Sequence, residues 1–96
     1  MTSPVVLINS FSVPEGMEEQ FLENWNKTAQ QMKNQPGFIE TKLHRSLDGK
    51  ARFKFINVAL WESPEAYQAA LSNVEIFEKQ LPVEANPALY SVANQY

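Results

Sequence analysis

The chain has 96 residues, 44% of them hydrophobic, with a net charge of −3, one histidine and no cysteine. That length supports one core and one domain spanning 1–96, and the missing cysteines exclude disulfides, thiolate metal sites, iron–sulfur clusters and cysteine nucleophiles. A lone histidine excludes a multi-histidine zinc or non-heme iron site within one chain, and eleven acidic against eight basic side chains argue against general nucleic-acid binding. No apolar run approaches the roughly 20 residues that a membrane helix needs. Met1-Thr-Ser-Pro-Val-Val-Leu-Ile lacks the basic start of a secretory signal, so a soluble cytoplasmic protein is expected.

In chain order, residues 4–13 alternate, with Val5, Leu7, Asn9, Phe11 and Val13 on one face and Val6, Ile8, Ser10 and Ser12 on the other. Apolar side chains on both faces predict a strand covered at least partly on both sides. Pro14-Glu-Gly16 ends it. From about 16 to 34, Met17, Phe21, Leu22, Trp25, Ala29 and Met32 recur at helical spacing, and Pro36-Gly37 stops that helix. A second strand follows over 38–47, and Leu47-Asp-Gly-Lys50 carries the Asp-Gly signal of a tight hairpin. The third strand, about 52–61, puts Phe53, Phe55, Asn57, Ala59 and Trp61 on one face and Ile56, Val58 and Leu60 on the other. Ser63 suits an N-cap, Pro64 the first helical position and Glu65 the positive end of the helix dipole. The second helix carries Tyr67, Ala70, Leu71, Val74, Phe77 and Leu81 inward, with a break near Ser72-Asn73; Pro82 ends it and Ala88 to Gln95 supplies the last strand.

The order β-α-β-β-α-β is the ferredoxin-like α+β arrangement, a four-stranded antiparallel sheet with both helices on one face. Its first and third strands are central neighbours. Their second faces carry Val6, Ile8, Ile56, Val58 and Leu60, and no helix remains to cover them. An uncovered apolar face of that kind predicts a homodimer with sheets packed face to face. Charge is uneven as well: Lys42, Arg45, Lys50, Arg52 and Lys54 cluster together, while Glu15, Glu18, Glu19 and Glu23 crowd the first helix. Either these are two solvated surfaces or they complement one another across a subunit contact.

Asn9 and Asn57 each interrupt an apolar face on adjacent central strands. A buried amide left unpaired costs about 1–3 kcal/mol, so each must find a partner. One reading has them bond each other or the backbone. The other has them line a pocket walled by Phe11, Phe53, Trp61, Tyr67 and the first helix with its Trp25, an apolar cleft with a few polar groups. Trp61 and Tyr67 have the same two readings, core aromatics or polar handles in a cleft. His44 falls at the polar end of an edge strand, as an exposed residue or a base. Glu75 and Glu78 look like solvated helix faces. No phosphate loop, nucleophile elbow or metal-spaced carboxylate cluster is present.

The layout, Pro36-Gly-Phe38 opening the second strand, and Trp61-Glu-Ser-Pro-Glu-Ala-Tyr67 together resemble the antibiotic biosynthesis monooxygenase family of dimeric α+β barrel proteins over essentially the full length. In its cofactor-independent oxygenases an asparagine, a tryptophan and a tyrosine match Asn57, Trp61 and Tyr67, spacing included. The resemblance implies oxidation of a small aromatic or quinol-like substrate by dioxygen without metal or flavin. Asn57 and Trp61 would hold substrate oxygens and Tyr67 would orient the phenol or relay its proton, with Asn9 beside them. An arginine those oxygenases use later in the chain is replaced by Leu81. A second branch of the fold degrades heme with a first-strand asparagine, a tryptophan ending the third strand and a helical histidine. Asn9 and Trp61 match the first two, and residues 62–85 contain no histidine. A third outcome keeps the fold as a non-catalytic small-molecule-binding dimer.

Overall fold

In the computed structural model, which describes residues 4–96, β1 (Val5–Ser12) and β3 (Phe55–Trp61) pair antiparallel at the centre of a sheet. Residues 1–3, which entered the signal-sequence reading, lie outside the described residues. β2 (Phe38–Arg45) flanks β3 and β4 (Glu84–Tyr90) flanks β1, giving the order β2-β3-β1-β4. The two strands with apolar residues on both faces take the two central places, as their patterning requires. Helices α1 (Glu18–Met32) and α2 (Pro64–Asn73) cover the face that carries Leu7, Phe11, Phe55, Ala59 and Trp61, all buried. This is the expected ferredoxin-like α+β fold. No helix among the described residues is long and apolar enough to cross a membrane.

The covered face holds two packing centres. Near one end, the Phe21 ring of α1 lies 4.8 Å from that of Phe11 and 4.9 Å from that of Phe55, joining α1 to β1 and β3. At the other end Trp61, 1% exposed, is wedged between Phe38 and Tyr67, with ring centroids 5.3 and 5.8 Å away in edge-to-face geometry. α2 starts as the sequence predicts: Ser63 is the N-cap, its hydroxyl accepts the Ala66 N–H at 3.1 Å, and Pro64 takes the first turn.

Four expectations need correction. The last strand starts at Glu84 rather than Ala88 and ends at Tyr90, because an edge position tolerates Pro87, which the local pattern does not reveal. Asp48-Gly49 does not make a two-residue hairpin. The ladder closes at Ser46 N–H to Lys54 O, 2.8 Å, and inside the wider loop the Ser46 hydroxyl and the Asp48 carboxylate accept the Asp48 and Lys50 N–H groups. β3 therefore begins at Phe55, leaving Phe53 in irregular chain with the Arg52 guanidinium 5.1 Å from its ring. The second helix ends at Asn73, and a separate 3-10 turn, Phe77–Gln80, follows an extended connection. The expected break is real, and its effect on Glu78 is large. Glu78 is buried, not solvated. Part of the charge asymmetry is also satisfied inside the chain, where Lys54 Nζ meets the Glu18 carboxylate at 3.1 Å.

α1 holds the connection after α2 through a polar ladder. Asn24, Thr28 and Gln31, at i, i+4 and i+7, share one line of the helix. Asn24 Nδ2 donates to Phe77 O at 3.1 Å, and the Thr28 hydroxyl accepts the Phe77 N–H at 3.0 Å. Gln31 both donates to Glu75 O, at 2.8 Å, and accepts the Glu75 N–H, at 3.0 Å.

Gly37 locks the opposite corner. Its φ is +86°, its carbonyl accepts the Glu62 N–H at 2.8 Å, and a Cβ there would lie 2.4 Å from Ala66 Cβ. Gly16 shares the left-handed backbone, φ +90°, with open space around it. Gly16→Ala therefore meets only the conformational cost, about 1–2 kcal/mol. Gly37→Ala adds a steric cost of about 1–3 kcal/mol on top. Urea denaturation of the two variants should show the larger loss for Gly37→Ala, and equal losses would contradict the contact.

Candidate active site

β1 and β3 place Asn9 directly opposite Asn57, and both side chains point to the helix-covered face. Above them the helices leave a cavity of about 260 Å³. Its wall includes Asn9, Asn57, Phe11, Trp25, Trp61 and Tyr67, together with Thr28, Thr41, Glu78 and apolar residues of both helices and β4. Six of the seven side chains expected to form a site are brought together. Phe53 is not. It lines a separate hollow by the β2–β3 loop with His44 and Arg52, since the irregular stretch before β3 breaks the alternation that would have turned it inward.

The two amides do not bond one another. Asn9 Oδ1 accepts the Asn86 N–H of β4 at 2.9 Å, beside Pro87. Asn57 Oδ1 accepts from the Thr41 hydroxyl of β2. Each amide thus has its oxygen fixed by a neighbouring strand, which orients its nitrogen donor. Both side chains remain half-buried, in contact with the hollow. Trp61 provides the sharpest signal. Its indole Nε1 is buried without a hydrogen-bond partner among the described residues, in a side chain that forms part of the cavity wall. An N–H donor in that condition is rare and costs about 1–3 kcal/mol until an acceptor arrives.

Tyr67 comes from the first turns of α2, and burial pushes its phenol above the ordinary tyrosine value. It is a donor at neutral pH rather than a phenolate. Asn57, Trp61 and Tyr67 thus bring an amide, an indole and a phenol to the walls of one apolar hollow, a set of groups suited to an oxygen-bearing planar molecule. Position 81, where an arginine was expected from the family pattern, holds Leu81, which packs against the Phe11–Phe21–Phe55 cluster.

Thr28, Thr41 and Glu78 also line the cavity; Thr28 and Thr41 are not among the residues that the sequence singles out, and Glu78 reads there as a solvated helix face. Asn24 and Thr28 stand inside the apolar stripe of α1, between Phe21, Trp25 and Ala29, and this interruption is the same signal that singles out Asn9 and Asn57. His44 is exposed on β2, its Nδ1 3.3 Å from Ile56 O, away from the cavity.

The molecule is similar to several characterised proteins. It is 37% identical to a candidate monooxygenase from Shewanella loihica PV-4, with a TM-score of 0.88 and 99% of each chain covered. SnoaB, a cofactor-independent oxygenase from Streptomyces nogalater, superposes with a TM-score of 0.78 over 98% of this chain and 97% of SnoaB, at 22% identity, a likeness of fold alone. Over 66 residues the chain is 39% identical to the mycobilin-producing heme oxygenase of Mycobacterium tuberculosis. That match takes in 69% of this chain and 61% of the enzyme, so this chain spans about three-fifths of that relative's length. The donor set does not suit a histidine-ligated heme: the sole histidine, His44, is on the outer edge strand, and no imidazole lines the cavity. Residues 4–77, well over half of the sequence, match the antibiotic biosynthesis monooxygenase family, and the chain belongs to it.

Proposed function

We propose that this domain, spanning 1–96, is a cytoplasmic, cofactor-independent monooxygenase that oxidises an aromatic or quinol-like small molecule with dioxygen. The observation that carries this reading is the unpaired Trp61 indole N–H, buried in the wall of a cavity that Asn57 and Tyr67 share. A hollow of about 260 Å³ between aromatic walls suits a planar ring system, and three donors suit its oxygens.

In the reaction, a phenol with a free para carbon takes up dioxygen, gives a quinone and releases one water. The phenol loses its O–H proton, and the electron-rich phenolate passes electrons to dioxygen. A peroxide forms at the para carbon. Its O–O bond then breaks as the C–H proton is removed, one oxygen staying as the quinone carbonyl and the other taking up the C–H proton and the former phenolic proton to leave as water. No external electron donor enters this balance. Asn57 and Trp61 hold the substrate oxygens and stabilise the negative charge that develops on them. Tyr67, kept protonated by burial, orients the phenol. Asn9, Phe11 and Trp25 fix the plane of the ring. Phe53 has no part in this arrangement.

The second part of the reading is a homodimer. In a single copy Val6, Ile8, Ile56, Val58 and Leu60 lie side by side on the sheet face opposite the helices, across the paired central strands. Two such faces stacked about a two-fold axis would cover them. Support from the family reading is of the same kind, since the resemblance is to dimeric proteins. A non-catalytic binding dimer would keep the cavity and lose the turnover.

Dioxygen uptake with a panel of phenols and 1-naphthols that carry hydrogen at the para carbon, without added cofactor, tests the activity. Turnover is expected in the native protein. Asn57→Ala should lower kcat/KM by about 10²–10³, the usual effect of losing one oxyanion donor. Tyr67→Phe should lower it less. No uptake with any substrate, or full rate in Asn57→Ala, would defeat the assignment. For the assembly, Val58→Lys places a charge in the middle of the outer face. Sedimentation should give a dimer for the native chain and a monomer for the variant, and a monomeric native chain would refute the dimer.

A further inference from the structure

The proposed chemistry leaves one role unfilled. Asn57 and Trp61 are not bases, and Tyr67 is held as the neutral phenol. A group that can take a proton must stand in the cavity. Glu78 does so. It is 7% exposed, lines the hollow with Asn57 and Tyr67, and, among the described residues, no lysine or arginine lies within 4.0 Å of its carboxylate. A buried carboxylate without a cation is costly to keep and is uncommon without a function.

Its setting suits a group that gains and loses a proton. The Thr28 hydroxyl hydrogen-bonds to Glu78 Oε1, accepts the Phe77 N–H at 3.0 Å, and lies 3.3 Å from Asn24 O. With one lone pair of the hydroxyl taken by Phe77, its hydrogen has two possible acceptors. When Glu78 is ionised, Thr28 donates to the carboxylate. When Glu78 is protonated, it can donate to Thr28, whose own hydrogen then turns to Asn24 O. Both charge states have their bonds met without movement of the backbone.

We infer that the Glu78 carboxylate is the base that takes the phenolic proton of the bound substrate, with Thr28 as the residue that positions it. The inference rests on the oxygenase reading above. The substrate O–H bond breaks and a carboxyl O–H bond forms, the electron pair staying on the phenolate oxygen. The carboxyl returns that proton when the peroxide's outer oxygen leaves as water, so Glu78 ends each cycle as it began. Burial pushes its pKa above the usual carboxylate range, against the opposing pull of the Thr28 hydroxyl, which brings it nearer to the phenols it serves. Few other charged or titratable groups face it: Tyr67 from α2 and Lys79 from its own turn share the cavity, and Lys27 of α1 lies 5.6 Å from the Phe77 ring centre. The strands beneath it contribute no charged side chain to the hollow, only neutral polar and apolar ones.

Glu78→Gln keeps the shape and removes the base. With 1-naphthol, whose para carbon is free, as probe, kcat/KM should fall by about 10²–10⁴, the range for a lost acid–base group. The acidic limb of its pH profile should disappear, whereas Glu78→Asp keeps a limb. An unchanged rate, or a limb that survives in Glu78→Gln, overturns the inference. Thermal melts control for folding, and their sign is fixed. A carboxyl with a raised folded pKa favours the folded state in acid and loses that contribution as pH rises through the folded value. Glu78→Gln should thus melt no lower than the native protein at pH 7, and a lower melt there assigns Glu78 a structural role. If the native protein oxidises nothing, the oxygenase reading fails by itself, and binding decides the role of Glu78. The native protein should prefer 2-naphthol to its methyl ether by about tenfold, and Glu78→Gln should lose most of that preference, as expected when an acceptor loses its charge. Equal preference in the two proteins, or no binding of either aromatic, overturns it.

Discussion

The ladder of Asn24, Thr28 and Gln31 along α1 is the interaction on which the rest of the site depends. Between α2 and β4 the chain has to travel from the helix layer back to the sheet edge, and part of that path is extended. Its backbone groups at Glu75 and Phe77 would lack partners where they press against α1. Three side chains one turn apart supply them. Because the ladder fixes the path, the 3-10 turn closes one wall of the cavity and Glu78 faces inward. Without it the helices would be free to settle onto the sheet and fill the hollow with their own side chains.

Packing and polarity divide the work at this sheet. The phenylalanine cluster and the Phe38–Trp61–Tyr67 set hold the two ends of the helix layer apart, and the hollow lies on the face between them. Close-packed aromatics at the ends make that spacing stiff. Within it each polar group is oriented by a neighbouring element: Thr41 of β2 fixes Asn57, the β4 backbone fixes Asn9, and Thr28 of α1 fixes Glu78. Among the described residues, the Trp61 indole is a fully buried donor with nothing to donate to. A site whose side chains are already aligned loses little entropy on binding, which is what preorganisation means in physical terms.

Much of this was legible in the sequence, and the failures share one cause. Two-sided apolar patterns put β1 and β3 at the sheet centre, and Ser63-Pro64 marked the start of α2 to the residue. Asn9, Asn57, Trp61 and Tyr67 were found because polar atoms interrupt inward faces. Phe53 and Glu78 were misplaced because a periodic pattern was carried past the end of its element. Helical phase counted from Pro64 turns Glu78 outward, but the extended residues after Asn73 reset that phase. Strand alternation counted back from Trp61 turns Phe53 inward, but the strand stops at Phe55. The break near Ser72-Asn73 is visible locally, but the phase that the chain resumes after it is not, nor is the early end of β3, because long-range bonds set both, one to α1 and one across the Ser46–Lys54 closure.

The free margins of the sheet carry a further consequence. β4 bears Pro87 in its middle, and β2 shifts register between Phe38 and Glu40, with Glu40, Lys42 and His44 charged or polar beyond. Neither margin is a clean template for another strand. Growth of the sheet sideways into a ribbon or a fibril is therefore blocked at both rims, even though β1 and β3 are rich in the β-branched residues that favour such growth. In the dimer proposed above, association would then run through stacked sheet faces rather than paired strand edges, a mode that closes on itself instead of propagating.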